Sequence, residues 1–130
     1  MTKRDVLIVD DNPVNMKLVS FLLSAAGYQV RTATSASDAR RAIDDAVPEL
    51  ILMDIQLPGT DGLALTRELR ASPRTAAVII VAVTAYAMKG DEEKALAAGC
   101  DAYVTKPIDT RHFPGRIAAL LSRGRPEVPT

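Results

Sequence analysis

The chain's 130 residues suffice for one compact domain with its own core and are too few for two. Hydrophobic residues at 48% and charged residues at 25% sit near ordinary globular usage, which argues against a disordered or a membrane class. Its 16 basic and 16 acidic residues cancel, so the basic excess that neutralises nucleic-acid phosphates is missing.

The N-terminal "MTKRD" runs straight into a strand pattern, without the apolar stretch of a signal peptide, and no apolar run approaches membrane-spanning length. A cytoplasmic address is expected, with neither nucleic acid nor membrane as partner. Cys100 is the single cysteine, so no internal disulfide is available and the thiol reads as a small buried core residue.

Apolar clusters then alternate with stretches of helical period, five times over. "VLIVD" (6–10) is strand-like, and "NPVNMKLVSFLLSAAG" follows as a helix, with Asn12 as cap, Pro13 in the first turn and Gly27 at the end. "YQVRTA" (28–33) alternates as an exposed edge strand would, and "SASDARRAIDDA" (35–46) reads as a surface helix begun by a serine. "LILMD" (50–54) is the third strand and "DGLALTRELRAS" (61–72) the third helix. "VIIVAV" (78–83) is the fourth strand, "KGDEEKALAAG" (89–99) a polar fourth helix, and "AYVT" (102–105) the fifth strand. "IDTRHFPGRIAALLSRG" (108–124) closes the pattern, although Pro114 and Gly115 move the expected start of this fifth helix to the neighbourhood of Pro114. His112 falls in that awkward stretch and reads as a surface residue.

Strands apolar on both faces and separated by helices imply a parallel sheet covered on both sides, a doubly wound α/β sandwich with five strands and five helices. Ligands of such folds sit at the carboxyl ends of the strands, near the point where strand order reverses. Asp10 and Asp11 stand at the end of the first strand, Asp54 at the end of the third, Thr84 at the end of the fourth and Lys106 just after the fifth. Three carboxylates against one ammonium leave two uncompensated negative charges, and like charges at close range raise one another's pKa unless something neutralises them. A divalent cation would do so, and hard oxygen ligands suit Mg²⁺. Taken singly, each residue has a plainer reading: Asp10 or Asp11 as a helix cap, Thr84 as a β-branched strand end, Lys106 as a solvated charge. The combination is harder to explain as five independent accidents.

In order and spacing, "LIVDDN", "LILMDIQLPGTDG", "VAVTAYA" and "YVTKPI" resemble the motifs of response-regulator receiver domains, over essentially residues 5–122. "LILMDIQLP" with "VAVTAYAMKGDEE" looks especially like the stand-alone, DivK-type receivers. The resemblance implies a flavodoxin-like, CheY-like sheet in the order 2-1-3-4-5, a receiver domain at 1–123 and a short flexible tail at 124–130. It implies that Asp54 is a phosphoacceptor taking a phosphoryl group from a phosphohistidine on a sensor histidine kinase or a histidine phosphotransfer protein. Asp10 and Asp11 match the acid pair that holds Mg²⁺, with Asp11 direct, Asp10 through water and the Gln56 backbone carbonyl as a further ligand. Thr84 matches the hydroxyl that turns inward to the phosphoryl group, Lys106 the lysine that pairs with it, and Tyr103 the aromatic that changes exposure when Thr84 moves. The Lys106–Pro107 bond, if cis, would aim the lysine back at the site.

The output expected from these roles is a protein-binding surface on the fourth helix, fifth strand and fifth helix, with a downstream protein or a phosphorylation-dependent homodimer as its reader. Such a chain is no enzyme beyond catalysing its own phosphorylation and dephosphorylation. Gln56 and Tyr86 stand where they would control water access to the acyl phosphate. Two other readings compete. A haloacid-dehalogenase-like phosphatase would place its nucleophile after the first strand with a second acid two residues on, where this chain has Asn12. A pseudo-receiver would keep the fold as a phosphorylation-independent binding module, although every chemical position here is filled.

Overall fold

The structure, a computed structural model, describes residues 4–57, 61–84, 90–106 and 108–123. Strands β1 (Asp5–Val9), β2 (Gln29–Ala33), β3 (Leu50–Asp54), β4 (Ile79–Thr84) and β5 (Ala102–Thr105) alternate with helices α1 (Pro13–Ala25), α2 (Ala36–Asp45), α3 (Gly62–Ala71), α4 (Asp91–Ala98) and α5 (Phe113–Arg123). All strand pairs are parallel, in the order β2-β1-β3-β4-β5. Every residue of β3 and β4 is buried, whereas β2 and β5 are partly open, as edge strands are.

Strand alternation splits the core into two layers. Val6, Ile8, Leu50, Leu52, Ile79, Val81 and Val83 pack beneath α1 and α5, against Val19, Leu23, Phe113, Ile117 and Leu121. Leu7, Val9, Ile51, Met53, Ile80 and Ala82 face the other way, against residues of α2, α3 and α4 that include Ile43, Leu65, Leu69 and Ala95. A run that is apolar at every position therefore has a partner for both of its faces. Cys100 is 6% exposed within the second layer, and burial pushes its thiol pKa up, in keeping with a packing role.

The helix ends explain themselves locally. Asn12 Oδ1 accepts the backbone N–H groups of Val14 and Asn15 at 3.0 and 3.1 Å, with Pro13 in the first turn. Ser35 and Asp61 cap α2 and α3 in the same way. Asp101 accepts from Arg70 at 2.7 Å and from the Ile80 N–H at 2.9 Å, while the Arg70 guanidinium also donates to the carbonyls of Ala76, Val78 and Gly99. This one arginine ties the end of α3 to the starts of β4 and β5.

Several boundaries differ from the sequence pattern. β1 takes in Asp5 and stops at Val9, although the Asp10 N–H continues its ladder to the Ala33 carbonyl at 3.0 Å. β2 starts at Gln29 rather than Tyr28, and β4 runs one residue later than expected, to Thr84. α4 begins at Asp91 after its N-cap Gly90, and Lys89 of the expected helix lies outside the described residues. α5, by contrast, starts at Phe113, in the neighbourhood of Pro114 as the sequence led one to expect, so Pro114 sits in the first turn, where a missing N–H has no partner to lose. Phe113, Ile117 and Leu121 then form its buried stripe at helical spacing, and His112 stays outside it, exposed, with Nδ1 2.6 Å from Asp109 Oδ2. Pro107 and residues 124–130 lie outside the described residues. Among the described residues no helix is long and apolar enough to cross a membrane.

Among the described glycines, Gly62 has the tightest backbone contact. A Cβ there would lie 2.4 Å from the Asp54 carbonyl oxygen and 2.7 Å from the Ile55 Cα, both rigid backbone. Gly62→Ala should therefore lower stability by about 1–3 kcal/mol in urea unfolding. An unchanged midpoint would show that α3 can move away from β3 freely.

Candidate functional site

Chain order in the sheet reverses at β1, which lies between β2 and β3, and the carboxyl ends of β1 and β3 open side by side there. Asp10 follows Val9, which pairs with Met53, so Asp10 and Asp54 arrive as neighbours. Both belong to the alternation that faces α1 and α5. Asp10 is 2% exposed and Asp54 3%, whereas Asp11 is open to solvent. Carboxylate oxygens of all three lie within 4.8 Å of one another.

Lys106 reaches this cluster from the end of β5. Its Nζ lies 3.3 Å from Asp10 Oδ2 and 3.3 Å from Asp54 Oδ2, and its backbone N–H donates to the Thr84 carbonyl at 2.7 Å. The lysine is thus fixed at both ends, main chain to β4 and ammonium to the two acids. Burial by itself would lower its pKa, but the charges of Asp54 and Asp10 and its hydrogen bonds to them outweigh burial and hold it above its ordinary value. Asp54 is pushed above the usual carboxylate range, chiefly by burial and further by the Asp10 charge, against the opposing pull of the Gln56 N–H and Lys106.

A lone-pair count separates the acids. A carboxylate offers about four acceptor positions. Asp10 Oδ1 accepts the Asn12 N–H at 2.9 Å, and Oδ2 accepts the Asn15 side-chain amide at 2.5 Å together with the Lys106 ammonium. Among the described residues Asp54 accepts only the Gln56 N–H, at 2.9 Å, and Lys106. Among the described residues nothing donates to the Asp11 carboxylate. Asp10 is therefore a held acid, Asp54 a half-open one and Asp11 a free one. The phosphatase reading, which needs a nucleophile after the first strand, meets an Asp10 that is buried and occupied, and an Asn12 whose side chain is spent capping α1.

The set of oxygens fits a hard divalent cation: three acids, one lysine, and an exposed Asp11 by which a hydrated ion could enter. Thr84 is fully buried and, by strand parity, faces the α2–α4 side with Ile80 and Ala82. Tyr103 pairs with Ala82, packs against that same layer and is partly buried, so it sits one diagonal step from Thr84 on one face of the sheet. The Gln56 side chain is exposed. Tyr86 lies outside the described residues. Asn15 escaped the sequence reading, because an uncharged amide inside a helical pattern gives no signal until the helix start at Asn12 fixes its direction.

The raised Asp54 pKa means that the folded chain holds this proton more tightly than the unfolded chain does. The stability it contributes is therefore fully present below the unfolded pKa and is lost as pH rises through the folded value. At neutral pH the ionised carboxylate is a burden. In EDTA, Asp54→Asn should melt a few degrees higher than wild type at pH 7, with the gap closing toward about pH 4. A lower melting temperature for the variant at pH 7, followed by circular dichroism, would contradict this electrostatic picture.

The family model of the response regulator receiver domain matches residues 6–118. The chain is 44% identical over 121 residues to the polar-differentiation response regulator DivK of Brucella ovis, covering 93% of this chain and 98% of that protein. Among solved structures it resembles a CheY-like response regulator receiver domain protein from Methanospirillum hungatei, with a TM-score of 0.86 at 29% identity, over 94% of this chain and 96% of that one. It also resembles the receiver domain of a sensor histidine kinase from Pseudomonas aeruginosa, with a TM-score of 0.84 at 34% identity, over 93% of this chain and 99% of the other. That protein holds a magnesium ion coordinated in its active-site cleft.

Proposed function

The chain belongs to the response regulator receiver domain family of two-component signalling, and on that premise we propose that Asp54 is its phosphoacceptor. The observation that carries this reading is the unequal occupation of the acids: Lys106 lies 3.3 Å from both Asp10 and Asp54, but among the described residues Asp10 accepts two further hydrogen bonds and Asp54 only that of the Gln56 N–H, so Asp54 is the ammonium-paired acid with more of its carboxylate open. In the reaction an Asp54 oxygen bonds to the phosphorus of a phosphohistidine carried by a sensor histidine kinase or a histidine phosphotransfer protein. The phosphorus–nitrogen bond breaks, and its electron pair stays on the imidazole. The Gln56 N–H orients one Asp54 oxygen, and Lys106 screens the negative charge of the incoming phosphoryl oxygens.

Asp11 and Asp54 would hold Mg²⁺ directly with the Gln56 backbone carbonyl, and Asp10 through water, in accord with how few acceptor positions Asp10 has left. Bound there, the ion supplies the positive charge that lets an anionic donor approach three carboxylates. All other steps belong to the chain itself. It is its own catalyst of phosphorylation and dephosphorylation and turns over no separate substrate in this reading.

Phosphorylation adds charge and acceptor oxygens at the end of β3, and the Thr84 hydroxyl turns toward them. Tyr103, on the same sheet face, moves into the space Thr84 leaves, and the α4–β5–α5 surface changes for its reader. That reader is a downstream protein target, and the same surface would serve a phosphorylation-dependent homodimer. Leu96, on α4, is an apolar residue exposed there, at 47%. Gln56 and Tyr86 tune water access to the acyl phosphate, and the cytoplasm is the compartment this reading assigns. The receiver unit is taken as residues 1–123, with 124–130 as its tail.

Intact-mass analysis with a small acyl-phosphate donor tests the assignment. Wild type should gain one phosphoryl group only when Mg²⁺ is present, and Asp54→Asn should gain none; equal incorporation by the variant would refute it. On the phosphorylated protein, Thr84→Ala should keep the group but lose the change in amide hydrogen exchange over α4 and β5. Tyr86→Ala should release the group severalfold faster. Unchanged exchange behaviour or an unchanged release rate would remove the respective residue from the scheme.

A further inference from the structure

We propose that Asn15 is a positioning residue that holds Asp10 in place for cation binding, an inference that rests on the phosphoacceptor reading of the site. The side-chain amide of Asn15 donates to Asp10 Oδ2 at 2.5 Å, the shortest of the contacts to that carboxylate. Asn15 is itself held: its backbone N–H donates to Asn12 Oδ1 at 3.1 Å, and the Asn12 N–H donates to Asp10 Oδ1 at 2.9 Å. Asp10, Asn12 and Asn15 thus close a ring of hydrogen bonds that locks the first turn of α1 to the end of β1. The stretch "DDNPVN" carries it, with one asparagine capping the helix and the next, three residues on, reaching back to the acid.

The choice of an amide has a consequence. A lysine or arginine at this position would steady Asp10 but cancel the negative charge that a cation needs; an amide steadies it and leaves the charge intact. Without Asn15, Oδ2 keeps only Lys106 as a donor among the described residues. Asp10 would then draw the ammonium toward itself and away from Asp54, and the geometry of the acid trio would loosen. Groups that orient metal ligands through a hydrogen bond typically change metal affinity by about 10–100-fold when removed.

A cavity of about 10 Å³ lies beside this ring, lined by Asp10, Asn15, Val19, Leu52 and Phe113 among others, and it sets the ranking of variants. Asn15→Leu keeps the bulk of the side chain, excludes water and removes the donor. Asn15→Ala enlarges the space enough for a water, which needs only about one probe sphere of room and can donate to Oδ2 in place of the amide. Leucine is also a good helix former, so helix stability ranks the two variants close together, whereas positioning ranks alanine well above leucine.

Isothermal titration with Mg²⁺ on wild type, Asn15→Leu, Asn15→Ala and Asp11→Asn tests the proposal, with thermal melting in EDTA as the readout of structure. Mg²⁺ affinity should fall about tenfold in Asn15→Leu and by less in Asn15→Ala, while both variants melt as cooperatively as wild type. Affinity in Asn15→Leu within about twofold of wild type, with Asp11→Asn clearly weakened, would overturn the role of Asn15 alone. Absence of Mg²⁺ binding by wild type would overturn the phosphoacceptor reading and this proposal with it. Should Asn15→Leu fail to fold, Asn15→Met, which also fills the space and carries no donor, decides: affinity equal to wild type overturns the proposal, and a loss of severalfold supports it.

Discussion

The Lys106 ammonium, 3.3 Å from both Asp10 and Asp54, is the interaction on which the strand-end rim depends. Among the described residues it is the one positive charge in contact with the two buried acids, beside a third that is exposed, and no other described cation offsets the remaining deficit. Asp10 is pacified by two further donors, Asp54 keeps open acceptor positions and an elevated pKa, and Asp11 faces water. Such a rim favours whatever brings positive charge to it, and it keeps one carboxylate available for chemistry.

The fold supplies this arrangement through parity. Asp10 and Asp54 point to the α1 and α5 side of the sheet, while Thr84 and Tyr103 belong to the side that faces α4. The two buried acids and the Thr84–Tyr103 pair are therefore on opposite faces of one sheet. Thr84 joins them, since its backbone carbonyl holds the Lys106 N–H while its side chain lies in the α4-side layer. In the proposed scheme this link would need no long-range distortion of the core, only a change at the end of β4 and at β5.

Much of this was legible in the sequence because burial on both faces writes continuous apolar runs: "LILMD" and "VIIVAV" could only be central strands, and the polar residues ending them had to share a rim. The family motifs then identified which polar residues belonged together. The rest depended on direction rather than residue type. Asn15 looks like any helix residue until Asn12 fixes the start of α1, and Arg70 looks like a surface cation until its guanidinium is seen clasping Asp101 and the carbonyl of Gly99. The start of α5 at Phe113, by contrast, was legible in the sequence to within a residue, because Pro114 fits only a first helical turn; the buried stripe of Phe113, Ile117 and Leu121 agrees with it.

The central claim is that, of three adjacent acids, Asp54 is the one that accepts the phosphoryl group. Borohydride reduction of the phosphorylated protein followed by peptide mapping tests it most directly, because an acyl phosphate is reduced to an alcohol and marks the residue that carried it. Conversion of Asp54 to homoserine, with Asp10 and Asp11 unaltered, is the predicted result. Conversion at Asp10 or Asp11 instead would contradict the assignment and the hydrogen-bond accounting that led to it.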